Sequence, residues 1–122
     1  MRTKCIFIVD DSATNCLLLE DILIDEGYRV FTYCSPVLAL TEINIHYPDL
    51  ILLDLNMPGI NGFQFYEKIQ DHRIPVIIVS ATVDPKTIDL ALELGIKDYI
   101  TKPIKIQNVK DKVNQLFAEN TI

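Results

Sequence analysis

The sequence predicts an α/β fold: a five-stranded parallel sheet in the order 2-1-3-4-5, with helices on both faces. Three observations predict it. Five short apolar runs alternate with five segments of helical character, the pattern of a parallel sheet covered on both sides. Three of those runs, CIFIVD, LILLD and VIIVS, are continuously apolar, as central strands buried on both faces must be. Polar residues gather at the carboxyl ends of the runs, where an open α/β sheet binds ligands at the point of strand-order reversal. Right-handed crossovers with helices on both faces permit the order 2-1-3-4-5, which sets runs one, three, four and five side by side.

The strands are expected at residues 5–10, 29–33, 50–54, 76–80 and 98–101. A first helix over 12–26 starts on an Asp or Ser cap and is stopped by Gly27. Its run of Leu17, Leu18, Leu19, Ile22, Leu23 and Ile24 is wider than one stripe. That width fits a well-buried helix with scattered surface leucines better than it fits a self-association surface. Ser35 and Pro36 open a second helix that reaches about Tyr47 and is ended by Pro48. A third covers Gly62 to about Asp71. Asp84 and Pro85 open a fourth that closes at Gly95, and a fifth runs from about Ile106 to Phe117 with Val109, Val113, Leu116 and Phe117 on one face.

The chain has 122 residues, 49% apolar and 23% charged, so one domain can bury a core without disulfides or a structural metal. Its formal net charge of -6 argues against a phosphate-backbone binder, leaving any DNA contact to an attached output domain. Cys5, Cys16 and Cys34 are odd in number and form no CxxC pair. They read as small buried hydrophobes in a reducing compartment. The first apolar run is halted by Asp10 and Asp11, too early for a signal-peptide core and too short for a membrane span, which makes the cytoplasm the expected location.

The strand order brings Asp10, Asp11, Asp54, Ser80 and Lys102 into one crevice. Two unit charges about 4 Å apart cost about 4 kcal/mol at an effective dielectric near 20, so three neighbouring carboxylates require a cation. Magnesium suits an all-oxygen site with one or two carboxylates, a carbonyl, waters and a phosphate oxygen. Alternatively Asp10 and Asp11 are a helix cap and Asp54 begins a loop. For any one residue that plainer account wins, but five coincident strand ends speak against it.

The motifs VDDS at 9–12, LLDLNMPGING at 52–62, SAT at 80–82 and DYITKPI at 98–104 resemble, together and at this spacing, the receiver domain of two-component response regulators over about residues 4–118. The resemblance implies a flavodoxin-like fold of the receiver type and a regulatory phosphoacceptor. Asp54 would become an aspartyl phosphate. Asp11, Asp54 and the backbone carbonyl of Asn56 would ligate magnesium, with Asp10 acting through a water. Lys102, Ser80 and the backbone amide of Ala81 would hold phosphoryl oxygens. The Lys102–Pro103 bond would be cis. Ser80 and Tyr99 would be the switch pair, Tyr99 half packed on a helix and turning into space that Ser80 vacates. Ser80 is the less usual of the family's two hydroxyl choices. Gly59 and Gly62 would serve the tight turn that carries the Asn56 carbonyl to the metal.

The implied partners are a sensor histidine kinase or a histidine phosphotransfer protein of a phosphorelay, and an output domain or second copy of the chain. The latter would dock on the fourth helix, fifth strand and fifth helix, where Leu90, Leu94, Ile104 and Ile106 lie beside Lys105 and Lys110. His46 and His72 lack matching ligands and are expected in solvent. A small aspartyl phosphatase is the competing enzyme class, but its DxD nucleophile pattern fails here, where the first strand ends VDDSA. A degenerate receiver acting only as an interaction module would have lost an acceptor or metal residue, and the full set is present. The expected organisation is a single receiver domain over 1–122 with no output domain in this chain and at most slow self-phosphorylation and self-dephosphorylation.

Overall fold

The computed structural model describes residues 2–119. β1 (Cys5–Val9), β2 (Arg29–Tyr33), β3 (Leu50–Leu53), β4 (Val76–Ser80) and β5 (Asp98–Thr101) form one parallel sheet ordered β2-β1-β3-β4-β5. This is the expected order. Between them run α1 (Ala13–Asp25), α2 (Pro36–His46), α3 (Gly62–Lys68) and α4 (Pro85–Glu93), with α5 (Ile106–Glu119) at the end. Val9 pairs with Tyr33 on one side and Leu53 on the other, which levels the carboxyl ends of the first three strands.

The continuous apolar runs split between two cores by the strand period of two. Phe7, Val9, Ile51, Leu53, Val76 and Ile78 join residues of α2, α3 and α4. Ile6, Ile8, Leu50, Leu52, Ile77 and Val79 join Leu19 and Leu23 of α1 and Val109, Val113 and Leu116 of α5. Most of these side chains are excluded from water, each contributing about 1.5–3 kcal/mol by burial. The absence of a polar alternate residue in the run is therefore what commits these strands to the sheet centre.

Helix starts follow their caps. Ser12 accepts from the Asn15 amide, Ser35 from the Leu38 amide with Pro36 in the first turn, and Asp84 from the Lys86 amide, each worth about 1 kcal/mol. α3 is shorter than expected: it ends at Lys68, and a 3₁₀ turn at Gln70–His72 replaces its last turn. Pro75 bars its predecessor from helical geometry, and the chain turns early through Arg73 at φ 55°. α5 instead runs two residues past Phe117, to Glu119.

Two further expectations are corrected. Cys5 and Cys16 are buried but Cys34 is exposed, because it lies just beyond the edge strand β2. His46 is only partly exposed: its ring stacks on Phe31 at 4.1 Å between centroids, and Phe31 in turn lies 5.1 Å under the Arg29 guanidinium. His72 is exposed, its Nε2 2.9 Å from Asn44 Oδ1. α1 buries Cys16, Leu19, Ile22 and Leu23 and leaves Leu17 and Ile24, two turns apart, on its solvent side.

Candidate functional site

Asp10 and Asp54 each stand one residue beyond their strand, yet the sheet still holds them. The Asp10 amide donates to the Tyr33 carbonyl at 3.1 Å, and the Asp54 amide donates to the Val9 carbonyl at 3.0 Å. Both continue the parity of Ile6–Ile8 and Leu50–Leu52, so the two carboxylates are brought together. They are 1% and 5% exposed. Asp10 Oδ1 accepts from the Ser12 amide at 2.9 Å, a local turn that leaves Asp11 exposed. One ligand oxygen from each of Asp10, Asp11 and Asp54 lies within 4.8 Å of the others.

Lys102 enters from β5. Its amide donates to the Ser80 carbonyl at 2.8 Å, the bond to Pro103 is cis, and Nζ lies 3.0 Å from Asp10 Oδ2 and 3.3 Å from Asp54 Oδ2. Burial pulls the lysine downward, but its ion pairs with Asp10 and then Asp54 outweigh it and hold the ammonium above its ordinary range. Asp10 moves upward: burial is the largest cause and Asp54 adds to it, against the Ser12 amide and Lys102. The two directions agree physically, since one ammonium cannot neutralise three carboxylates. Asp10 Oδ2, moreover, is buried and receives no hydrogen bond; its contact with Lys102 is an ion pair only. An excess of negative charge, oxygen-only donors and an unbonded buried carboxylate oxygen are what a hard divalent cation such as magnesium would satisfy.

On the other face of the sheet, Ser80 is fully buried. Its Oγ accepts from the Thr82 amide at 3.3 Å and lies 3.5 Å from Asn56 Nδ2. That same Nδ2 donates to Thr82 Oγ1 at 3.1 Å, and the Asn56 amide donates to Asp54 Oδ1 at 3.2 Å. Tyr99 shares the core of Val76 and Ile78, and its hydroxyl donates to the Thr82 carbonyl at 2.8 Å. It is 9% exposed, not half packed: the inward place is already filled. Burial raises the phenol above its ordinary range. Thr82 and the amide side chain of Asn56 thus join Asp54, Ser80 and Tyr99 in one network. Neither role was foreseen, although Thr82 stands in the SAT motif. Ala81, between Ser80 and Thr82, is exposed at the mouth of the loop.

Gly59 and Gly62 differ in purpose. Gly59 has φ +81°, a conformation that favours glycine. Gly62 begins α3 against the strand end, where its amide donates to the Leu55 carbonyl at 2.9 Å. Asn61 caps the helix and exchanges bonds with Gln64 in a capping box, which the N-x-x-Q spacing could have revealed.

The outer face departs from expectation. Leu90 of α4 and Leu94 just past its end are exposed, but Ile106 and Lys110, one turn apart on α5, face α1. They line a groove of about 480 Å³ with Leu18, Ile22 and Ile24, and Lys110 lies 3.8 Å from both Asp25 and Glu26. Burial of Val109, Val113 and Leu116 sets the rotation of α5 and turns that stripe away from α4.

The family model for the response regulator receiver domain matches residues 6–114. The chain is 34% identical over 121 residues to the DNA-binding response regulator MtrA of Mycolicibacterium paratuberculosis, covering 98% of this chain and 53% of that one. It therefore spans about half the length of that relative. Sporulation initiation phosphotransferase F of Bacillus subtilis is 33% identical over 117 residues, covering 94% of both chains. Among solved structures, a CheY-like receiver domain protein from Methanospirillum hungatei superposes with a TM-score of 0.89 at 27% identity, covering 97% of this chain and 96% of the other.

Proposed function

The chain belongs to the response regulator receiver domain family, and on that premise we propose that it is a magnesium-dependent switch whose Asp54 accepts a phosphoryl group from a phosphohistidine. The donor is a sensor histidine kinase or a histidine phosphotransfer protein of a phosphorelay. One observation carries this reading: a carboxylate 5% exposed at the end of a central strand, with an ammonium 3.3 Å from its Oδ2 and two more carboxylates beside it.

An Asp54 oxygen forms the new bond to phosphorus as the phosphorus–nitrogen bond breaks, and the electron pair leaves with the imidazole. Lys102 follows the developing charge on one phosphoryl oxygen, while the Ser80 hydroxyl and the Ala81 amide take another. Asp11, Asp54 and the Asn56 carbonyl would hold magnesium, with Asp10 acting through a water. The bound ion supplies charge neutralisation for the carboxylates and the phosphoryl oxygens. Phosphoryl transfer asks for positioning and charge more than for a protein-borne base, so slow self-phosphorylation from a small phosphodonor accompanies the main reaction.

Among the described residues no helix is long and apolar enough to cross a membrane; we place the protein in the cytoplasm with its kinase partners. The output passes through the α4–β5–α5 face to a second copy or an output domain. The test is acetyl phosphate with magnesium followed by intact-protein mass spectrometry. One phosphoryl adduct is expected on the native chain and none on Asp54→Asn; an equal adduct on the variant overturns the assignment.

A further inference from the structure

Two of the three cysteines converge on Asp10. Cys16, in the first turn of α1, is 4% exposed, and its thiol donates to the Asp10 carbonyl at 3.2 Å. Cys34 directly follows Tyr33, whose carbonyl accepts the Asp10 amide, and its side chain is open to solvent. Cys34 continues β2 with the parity of Val30, which turns it to the face of the sheet that α1 and Cys16 cover; burial first, then Cys34, pushes the Cys16 thiol up to about 12. Cys5 is buried at the opposite end of β1 and belongs to a separate environment beside Asp49. An accessible thiol beside a buried one is the arrangement of an oxidisable cysteine with its resolving partner.

From this geometry we propose that Cys34 and Cys16 form a peroxide-sensitive pair that closes into an intramolecular disulfide alongside Asp10. The oxidant is hydrogen peroxide or an organic hydroperoxide. The Cys34 sulfur attacks one peroxide oxygen, the oxygen–oxygen bond breaks, and the departing oxygen takes a proton and leaves as water or an alcohol. Cys34 is then a sulfenic acid. The Cys16 sulfur displaces its hydroxyl, so that the sulfur–sulfur bond forms, the sulfur–oxygen bond breaks, and the Cys16 proton leaves in a second water. Two thiols are oxidised and one peroxide is reduced. Exposure assigns the first attack to Cys34, since a peroxide in solvent reaches its sulfur and not the buried one of Cys16.

The consequence reaches the carboxylate site through one atom. Once bonded to Cys34, the Cys16 sulfur carries no hydrogen, and the Asp10 carbonyl loses that donor. Asp10 is tied to Lys102 and to the turn that presents Asp11, so the oxidised chain binds magnesium severalfold more weakly than the reduced one.

The experiment treats the reduced full chain with hydrogen peroxide and maps it without reductant. The expected result is loss of two hydrogens, one linked peptide pair carrying Cys16 and Cys34, reversal by dithiothreitol, and weaker magnesium binding by calorimetry in the oxidised form. Cys16→Ala is expected to leave a dimedone-reactive sulfenic acid at Cys34, and Cys34→Ser to form no disulfide. Mapping of the native chain decides the matter if a variant does not fold. A bridge through Cys5, a Cys34–Cys34 link between chains, or Cys34 sulfinic acid without a bridge overturns the pair. Unchanged magnesium affinity in the bridged chain overturns its coupling to Asp10.

Discussion

A Cβ added at Gly62 would lie 2.6 Å from the backbone carbonyl oxygen of Asp54 and 2.8 Å from Leu55 Cα. The start of α3 thus presses on the very residue proposed to accept the phosphoryl group. Backbone cannot yield there as a flexible side chain could, and overpacking of this kind costs about 1–3 kcal/mol. Gly62→Ala is expected to lower stability by that amount in denaturant titration and to slow phosphoryl acceptance from acetyl phosphate, because Asp54 must shift to relieve the clash. A variant of native stability with native acceptance would show that the approach is looser than the geometry requires.

Asp10 makes a prediction about pH. Burial holds its folded-state pKa above the unfolded value, which is about 3.9. For such a group the favourable contribution is fully present below the unfolded value and is lost as pH rises through the folded one. The metal-free chain therefore gains stability from this residue on acidification through that window. Asp10→Asn removes the dependence, keeps an acceptor for the Ser12 amide and leaves Lys102 to pair with Asp54 alone. At pH 7 without magnesium the variant is expected to be more stable by on the order of 1 kcal/mol, the scale of one unsatisfied buried acceptor, with the advantage shrinking toward pH 4. Thermal melts across that range check it; an advantage independent of pH would assign the gain to something other than the charge.

The fold was legible because its signals are local and repeated: continuous apolar runs at the sheet centre, cap residues before the helices, Gly27 and Gly95 after them. Asp10, Asp54 and Lys102 were legible because a charge at the end of an apolar strand stands out, and strand order alone then brings the three together. Thr82 and the Asn56 amide were not, since their meeting depends on the path of two loops that no periodicity describes. Cys34 was misjudged because hydropathy cannot tell a strand interior from the first residue past an edge strand. Ile106 and Lys110 were assigned to the wrong face because helical spacing groups residues into a stripe without saying which neighbour the stripe meets.

Magnesium affinity should separate Asp11 from Asp10. Asp10 already spends Oδ1 on the Ser12 amide and holds Lys102 against Oδ2, whereas Asp11 is exposed and its carboxylate makes no ion pair among the described residues. A buried oxygen held 3.0 Å from an ammonium is a poorer direct ligand than an exposed carboxylate, so Asp11→Asn is expected to weaken binding by about tenfold or more, about 1.4 kcal/mol, and Asp10→Asn by less. Calorimetric titration of both variants measures this. Equal losses would mean that the two residues share the ion alike.

The last prediction concerns how a phosphoryl group at Asp54 is felt at Tyr99. The carboxylate already carries one negative charge, and a phosphoryl group bearing about -1.5 to -2 adds roughly one more, so charge alone carries little of the message. The connection runs through the network: Asp54 Oδ1 takes the Asn56 amide, the Asn56 side chain holds Thr82, and the Thr82 carbonyl holds the Tyr99 hydroxyl. With Tyr99 already inward, phosphorylation is expected to stabilise that packing against an outward alternative instead of opening a space for it. New phosphoryl oxygens give the Ser80 hydroxyl an acceptor, which fixes the loop that carries Thr82. A ligand shifts such a balance only by its differential affinity for the two states. Ser80→Ala should therefore still accept phosphate while responding less. Backbone NMR with beryllium fluoride and magnesium, which stand in for the phosphoryl group, reads this directly. Shifts are expected at Thr82, Tyr99, α4 and β5 in the native chain, reduced in Ser80→Ala. Changes confined to the neighbours of Asp54 in the native chain, with Tyr99 silent, would break the link between the acceptor and the α4–β5–α5 face.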